Sequence, residues 1–303
     1  MKLAELSGEE LGERLAGHGL DLRLGPFALR LRSPLASVRS GLALLYADYP
    51  LIAPGGFADF HVRIAPPRGL RGVWRPQALF SFDGFQPFTP LPLDQAFAFL
   101  EWGLNWCVAN YIHRWLVVHA AVLERDGRAV LLPGPPGAGK STLTAALCLR
   151  GWRLLSDELA IVSPEDLALT PLPRPVSLKN RSIDVIRAFD PAAVIGPPAH
   201  DTAKGTVAHM RPPADSVARA AETARPTWIV FPRWEADAPA AFEARPRAHS
   251  GLELGRNAFN YSVLGRLGFD TLAALLDTCG CFDFRYGRLD EAIVAFDRLA
   301  SAR

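Results

Sequence analysis

Residues 134–141 read Gly134-Pro135-Pro136-Gly137-Ala138-Gly139-Lys140-Ser141, which satisfies the pattern GxxxxGK[ST]. The apolar run RAVLLP precedes it and a helix-forming run beginning with Thr142 follows. A strand, a glycine loop and a helix in that order make a phosphate cradle. Glycines let backbone N–H groups turn inward, the helix N-terminus adds positive potential, the lysine reaches the β- and γ-phosphates, and the serine hydroxyl ligates Mg2+. Gly134 to Thr142 are therefore expected to bind a nucleoside triphosphate, ATP with Mg2+, and this places the chain in the α/β class with a mixed sheet.

Upstream, MKLAELSGEELGERLAG has amphipathic helical spacing, and LDLRLGPFALRLRS alternates apolar and polar residues on both sides of Gly25-Pro26, which predicts a hairpin or two short strands. FADFHVRIA and QALFSFDG repeat the alternation, and the intervening PPRGLRGVWRP has the punctuation of an exposed loop. Leu93 to Trp115 has helical spacing and is rich in aromatics; Phe97, Trp102 and Trp106 read as core residues or as a docking surface. Residues 1–110 are expected to form an α+β unit with a docking or structural role, and residues 111–303 the nucleotide-binding unit.

Leu116 opens a β-rich run that continues past Asp126-Gly127, a pair suited to a tight hairpin turn, so the strand feeding the glycine loop has an antiparallel neighbour. Beyond the loop the pattern predicts a helix to Arg150, short strands in RLLSDE, LAIVSP and LALTPL, and a mobile Pro/Gly/Ala-rich loop over 191–213. TWIVFPRW, AFEARPR and CFDFRYG then read as strands; HSGLELGRNAFNYSVLGRL, FDTLAALLDT and DEAIVAFDRLA read as helices.

Phosphoryl chemistry also needs carboxylates. Asp157-Glu158 ends a strand 17 residues after Lys140, enough for one helix and one returning strand, so the pair comes back beside the loop. Asp157 is then placed to hold Mg2+ with Ser141, and Glu158 to take a proton from an attacking hydroxyl. With Asp126-Gly127 as a two-residue turn, His119 lies across from Gly134, its ring toward the γ-phosphate or Glu158. Lys179, Lys204, His209 and Arg211 are further positive or titratable groups that stand to close over a triphosphate.

Composition narrows the partners. With 33 basic and 31 acidic residues the formal net charge is +2, so no global field points to nucleic acid. The N-terminus lacks the apolar core of a secretory signal and no run approaches the roughly 18 apolar residues of a membrane span, so the expected location is the cytoplasm. Cys107, Cys148, Cys279 and Cys281 fit neither a disulfide framework nor a zinc spacing and read as buried thiols.

His119, the tight hairpin, GPPGAGKS, the following helix and RLLSDE together resemble the core of bacterial HPr kinase/phosphorylase, whose fold is similar to the nucleotide-binding part of phosphoenolpyruvate carboxykinases. The resemblance extends over roughly His113 to Leu264, where Gly255-Arg256-Asn257 is similar to a stretch of that family. Length and the added N-terminal unit are closer to the HPr-kinase-related kinase A group. The resemblance implies a P-loop kinase of ATP and Mg2+ acting on a protein or peptide serine, with Arg256 near the phosphates or the substrate. It also implies a small PqqD-like peptide-binding protein as partner and admits an oligomer. Two positions depart from the true enzymes: their acid/base aspartate is Glu158 here, and PRPVSLKNRSID has no match to a further metal-binding glutamate. A nucleotide-dependent binding or chaperone protein, a small-molecule kinase and a phosphorylase stand as alternative functions.

Overall fold

The computed structural model describes residues 1–67, 76–135 and 137–302. Most of the expected loop PPRGLRGVWRP, and Pro136 of the glycine loop, lie outside these residues. The chain is a mixed α/β fold in which two larger sheets and one small one share the work.

Helix α1 (Gly8–Ala16) starts where Ser7 and Glu10 cap each other's backbone N–H groups. Strands β1 (Leu20–Leu24) and β2 (Phe27–Arg32) pair antiparallel around Gly25-Pro26. Helix α2 (Ala36–Leu45) then crosses to β3 (Phe60–Ala65), which lies parallel to β2. Strands β4 (Gln77–Phe82) and β5 (Leu91–Pro92) complete a five-stranded sheet in the order β1-β2-β3-β4-β5. Helix α3 (Ala96–Tyr111) is apolar nearly all round because it is packed on more than one side. Phe99 meets Phe80 of β4 at 5.8 Å, while Tyr46 at the end of α2 donates a hydrogen bond to Glu101.

The second sheet is organised around β6 (Leu116–Arg125), whose near-continuous apolar run is buried on both faces. Its side chains alternate: Val118, Ala120 and Val122 enter one core, while Ala121 and Leu123 enter another. Val117 reaches the core of the five-stranded sheet, which ties the two sheets together. Asp126 (φ 53°) and Gly127 (φ 79°) form the hairpin turn into β7 (Arg128–Pro133). Helix α4 (Lys140–Cys148) follows the glycine loop, then β8 (Arg153–Ser156), β9 (Leu159–Val162) and β10 (Leu169–Thr170). Strands β14 (Arg225–Trp234) and β16 (Gly280–Tyr286) run parallel beside β7, and β15 (Ala241–Ala244) closes the edge. The order is β10-β9-β6-β7-β14-β16-β15, with β8 on β6. Helices α7 (Arg247–Asn257), α8 (Tyr261–Leu264) and α9 (Arg266–Thr278) cover one face through Leu254, Leu264 and Leu272. Helices α4 and α10 (Leu289–Ser301) cover the other.

Residues 191–213 correct the expectation of a mobile loop. β12 (Ala199–Thr202) and β13 (Gly205–Met210) form a hairpin, and β13 also pairs with β11 (Val176–Lys179), giving a three-stranded antiparallel sheet. Helices α5 (Arg181–Phe189) and α6 (Ala214–Ala218) flank it in the chain. Glycine and alanine, read as loop signals, mark tight packing here. Gly205 has φ 82°, and a Cβ on it would stand 2.3 Å from Asn180 Oδ1, which accepts from the Thr206 N–H and so plugs the turn. His209 is buried, and Arg211 is ion-paired with Asp48, so neither belongs to a flexible cover. The four cysteines are buried and unpaired. No helix among the described residues is long and apolar enough to cross a membrane.

Candidate functional site

Strand β7 delivers Gly134, and the β6–β7 ladder ends at Ala120–Pro133, so the next pair along that register is His119 and Gly134. The loop is held from the side by the ends of β14 and β16. The Trp234 N–H donates to the Ala138 carbonyl at 3.1 Å, and the Tyr286 hydroxyl donates to the Gly139 carbonyl at 3.1 Å. Gly139, with φ 90°, has no room for a side chain, since a Cβ would fall 2.4 Å from the Tyr286 oxygen. Lys140 is only 8% exposed and donates to the carbonyls of Gly134 and Pro135. Burial lowers its pKa, an effect that Glu158 and Asp157 oppose. The loop therefore has the strand, turn and helix that a phosphate cradle needs.

Strand β8 returns antiparallel to β6, and Asp157-Glu158 forms the connection to β9. The Ser156 hydroxyl caps that connection by accepting from the Leu159 N–H at 3.0 Å. Asp157 is 5% exposed; its Oδ2 accepts from the Ser177 N–H at 2.9 Å and from the Ser141 hydroxyl at 3.4 Å. Its Oδ1 is buried with no hydrogen-bond partner among the described residues. Burial, reinforced by the neighbouring Glu158 charge, pushes the Asp157 carboxyl up to about 7. A buried carboxylate oxygen without a donor, next to a serine hydroxyl, is the chemistry a hard divalent cation satisfies, so Ser141 and Asp157 fit Mg2+. Among the described residues there is no cluster of three or more His, Cys, Asp or Glu to hold a metal by protein groups alone.

Glu158 occupies the opposite environment. His119 Nδ1 is 3.3 Å from its Oε2, and Lys179 Nζ is 3.6 Å from its Oε1. Burial alone would raise this carboxyl, but Lys179, His119, Lys204 and Lys140 outweigh it and hold the pKa below the ordinary value. His119 is itself lowered, first by burial, with Glu158 pulling the other way. Two adjacent carboxyls are thus driven apart, Asp157 upward and Glu158 downward.

Lys140, Ser141, Asp157, Glu158 and His119 come together as the spacing predicts. Arg256 does not join them by any hydrogen bond or ion pair among the described residues; it is exposed at the end of α7. The segment after it does reach the site: Ala258 bridges to Val118, and the Phe259 ring stands edge-on to His119 at 5.8 Å. Arg225, Arg233 and Arg247 are exposed. Thr142 is half-buried in the first turn of α4.

Several participants carry no motif signal. Ser177 binds Asp157 through its backbone, which any residue type can do. Trp234 and Tyr286 are brought in by parallel strands about 100 and 150 residues downstream. A pocket of about 250 Å3 lies beside the acidic pair, lined by Asp157, Glu158 and Lys179 and by Phe99, Glu101 and Trp102 of α3. Trp102 is 44% exposed at this wall, whereas Phe97 and Trp106 pack against the core. Gln95 of the same segment donates to the His200 carbonyl at 2.9 Å and so ties the aromatic wall to the β12–β13 hairpin.

No protein-family model matches the chain. A stretch of 70 residues, 22% of this chain, is 43% identical to the tRNA modification GTPase MnmE of Sphingopyxis alaskensis. The match spans 15% of that protein's length, so the likeness is confined to a segment.

Proposed function

We propose that the chain is a Mg-ATP-dependent phosphotransferase, built on a core of the HPr kinase and phosphoenolpyruvate carboxykinase type, that moves the γ-phosphoryl to a hydroxyl of a protein or peptide. The observation that carries this reading is Glu158: an anionic carboxylate between an imidazole and an ammonium, next to a second carboxylate aimed at Ser141. A protein that only grips nucleotide has no need of that group.

Lys140 and the backbone N–H groups of Gly137 to Thr142 bind and orient the triphosphate. Ser141 and Asp157 would hold Mg2+, which supplies charge neutralisation on the β- and γ-oxygens. The acceptor hydroxyl gives its proton to Glu158 while its oxygen bonds to the γ-phosphorus and the bond to the β,γ-bridging oxygen breaks, leaving the diphosphate. Lys140 and Lys179 offset the charge that develops, and His119 keeps Glu158 oriented. The segment similar to a GTPase supports use of a nucleoside triphosphate; adenine over guanine rests on the HPr-kinase resemblance, as do serine as acceptor and a PqqD-like partner.

Incubation with γ-labelled ATP, Mg2+ and small peptide-binding partners or their peptides tests the reading. Label on a partner hydroxyl that disappears with Lys140→Ala supports it; label that goes only to water sinks it. A small-molecule acceptor is the second reading, favoured by the modest size of the pocket beside Glu158.

A further inference from the structure

We infer that the pocket between α3 and the acidic pair is the acceptor site, and that it selects a hydroxyl carried on a planar apolar group, a phenol above all, over a bare aliphatic hydroxyl. The assignment of the hydroxyl as acceptor rests on the phosphotransferase reading; the binding preference does not.

Four segments line the pocket. The β8–β9 connection and β11 contribute Glu158 and Lys179, while α3 contributes Ala98, Phe99 and Trp102 together with Glu101 and Asn105, which Arg174 engages, and Leu91 stands beside them. An occupant therefore meets Glu158 and Lys179 as well as the aromatic and aliphatic groups of α3. At about 250 Å3 the space is below the roughly 300–1,000 Å3 of pockets that enclose drug-sized ligands, so it accepts one ring-sized group and no folded surface. The aromatic group is packed within itself: Phe99 and Trp102 lie 5.8 Å apart with planes inclined by 23°, and Phe88 stands 4.3 Å from Trp102, which stays 44% exposed. A serine side chain would reach Glu158 and leave this wall uncovered. A phenol covers the wall and brings its oxygen to the carboxylate.

The wall is also fixed in place. Glu101 and Asn105 of α3 bind Arg174, three residues before Ser177, whose N–H holds Asp157. The ring face and the acidic pair therefore share one buried scaffold, and the spacing between them is set before any acceptor arrives.

The test is binding of N-acetyl-tyrosinamide and N-acetyl-serinamide to the full chain with Mg2+ and a non-hydrolysable ATP analogue, followed by saturation-transfer NMR. Saturable binding of the tyrosine probe at least tenfold tighter than the serine probe, weakened about tenfold in Trp102→Ala while the nucleotide analogue binds as before, supports the proposal. Equal affinities, no binding of the tyrosine probe, or indifference to Trp102→Ala would overturn it. A tyrosine-centred pentapeptide separates the two sources of phenol: tighter binding than the amide marks a peptide, equal binding a free small molecule. The same tyrosine amide with γ-labelled ATP then reads the transfer reaction separately. Binding without transfer would overturn the phenol as acceptor, while the phosphotransferase reading stands or falls on transfer to the partner peptides.

Discussion

His119 Nδ1 meets Glu158 twice, at 3.3 Å from the carboxylate Oε2 and 3.1 Å from the same residue's backbone carbonyl. Both partners only accept, so Nδ1 carries the proton, and in the neutral ring Nε2 is left with its lone pair. The imidazole is thus fixed in one tautomer, with Phe259 against its edge, and its Nδ1–H orients Glu158. Replacing His119 by Ala should lower transfer by about 10–100-fold with little change in nucleotide affinity. Asn, able to donate in the same place, should recover part of that loss. Steady-state kinetics of the three proteins would show it, and an unchanged rate in His119→Ala would refute the orienting role.

Asp157→Asn should uncouple the protein from Mg2+. The amide keeps the bulk but replaces one oxygen with a donor that cannot ligate a cation, in a side chain whose Oδ1 has no partner among the described residues. Titrating Mg2+ against nucleotide binding should show a loss of metal dependence, and EDTA should reduce the wild type to the variant's affinity. Equal Mg2+ dependence in both proteins would remove Asp157 from the metal site.

Arg174 is buried between Glu101, to which it is joined at 3.2 Å, and Asn105, while Tyr46 donates to Glu101 from α2. Burial raises the Glu101 carboxyl above its ordinary value even with Arg174 pulling it down. Arg174→Ala leaves a buried carboxylate without its cation, and the expected cost is about 3–5 kcal/mol. Urea unfolding measures it. Glu101→Gln combined with Arg174→Met should cost less than either change alone. Additive losses would mean that the two side chains act independently.

His209 sets the acid limb of stability. Burial, helped by Arg174, depresses its pKa to about 3 from an ordinary value near 6.5. The unfolded chain therefore takes up a proton that the folded chain refuses. This contribution is fully present above pH 6.5 and is lost as pH falls toward 3, by about 2 kcal/mol at pH 5. His209→Leu removes the titration, so its stability between pH 6.5 and 4 should fall less steeply than that of the wild type. Parallel slopes in chemical unfolding at several pH values would contradict this.

The parts of the fold set by local pattern were legible in the sequence. Asp126-Gly127 and the alternation around Gly25-Pro26 each mark a turn by residue type, and both turns form. The spacing of Asp157-Glu158 and the hairpin register of His119 brought three site residues together because both depend only on chain length along known elements. The β12–β13 hairpin was misread because Gly205 signals a loop unless Asn180, 25 residues earlier, is known to fill the turn. The aromatic wall was ambiguous for a similar reason. Phe97, Phe99, Trp102 and Trp106 all suit a buried helix, and only packing against β4 and β13 decides which of them turns toward Glu158.

Glu158→Gln tests the central claim most directly. Mg-ATP affinity by calorimetry and label transfer from γ-labelled ATP would be measured side by side in wild type and variant. The account predicts nucleotide affinity within about threefold of wild type and transfer reduced by 10²–10⁴-fold, since the amide keeps the shape and loses the proton acceptor. Transfer at the wild-type rate, or loss of affinity in step with rate, would contradict it.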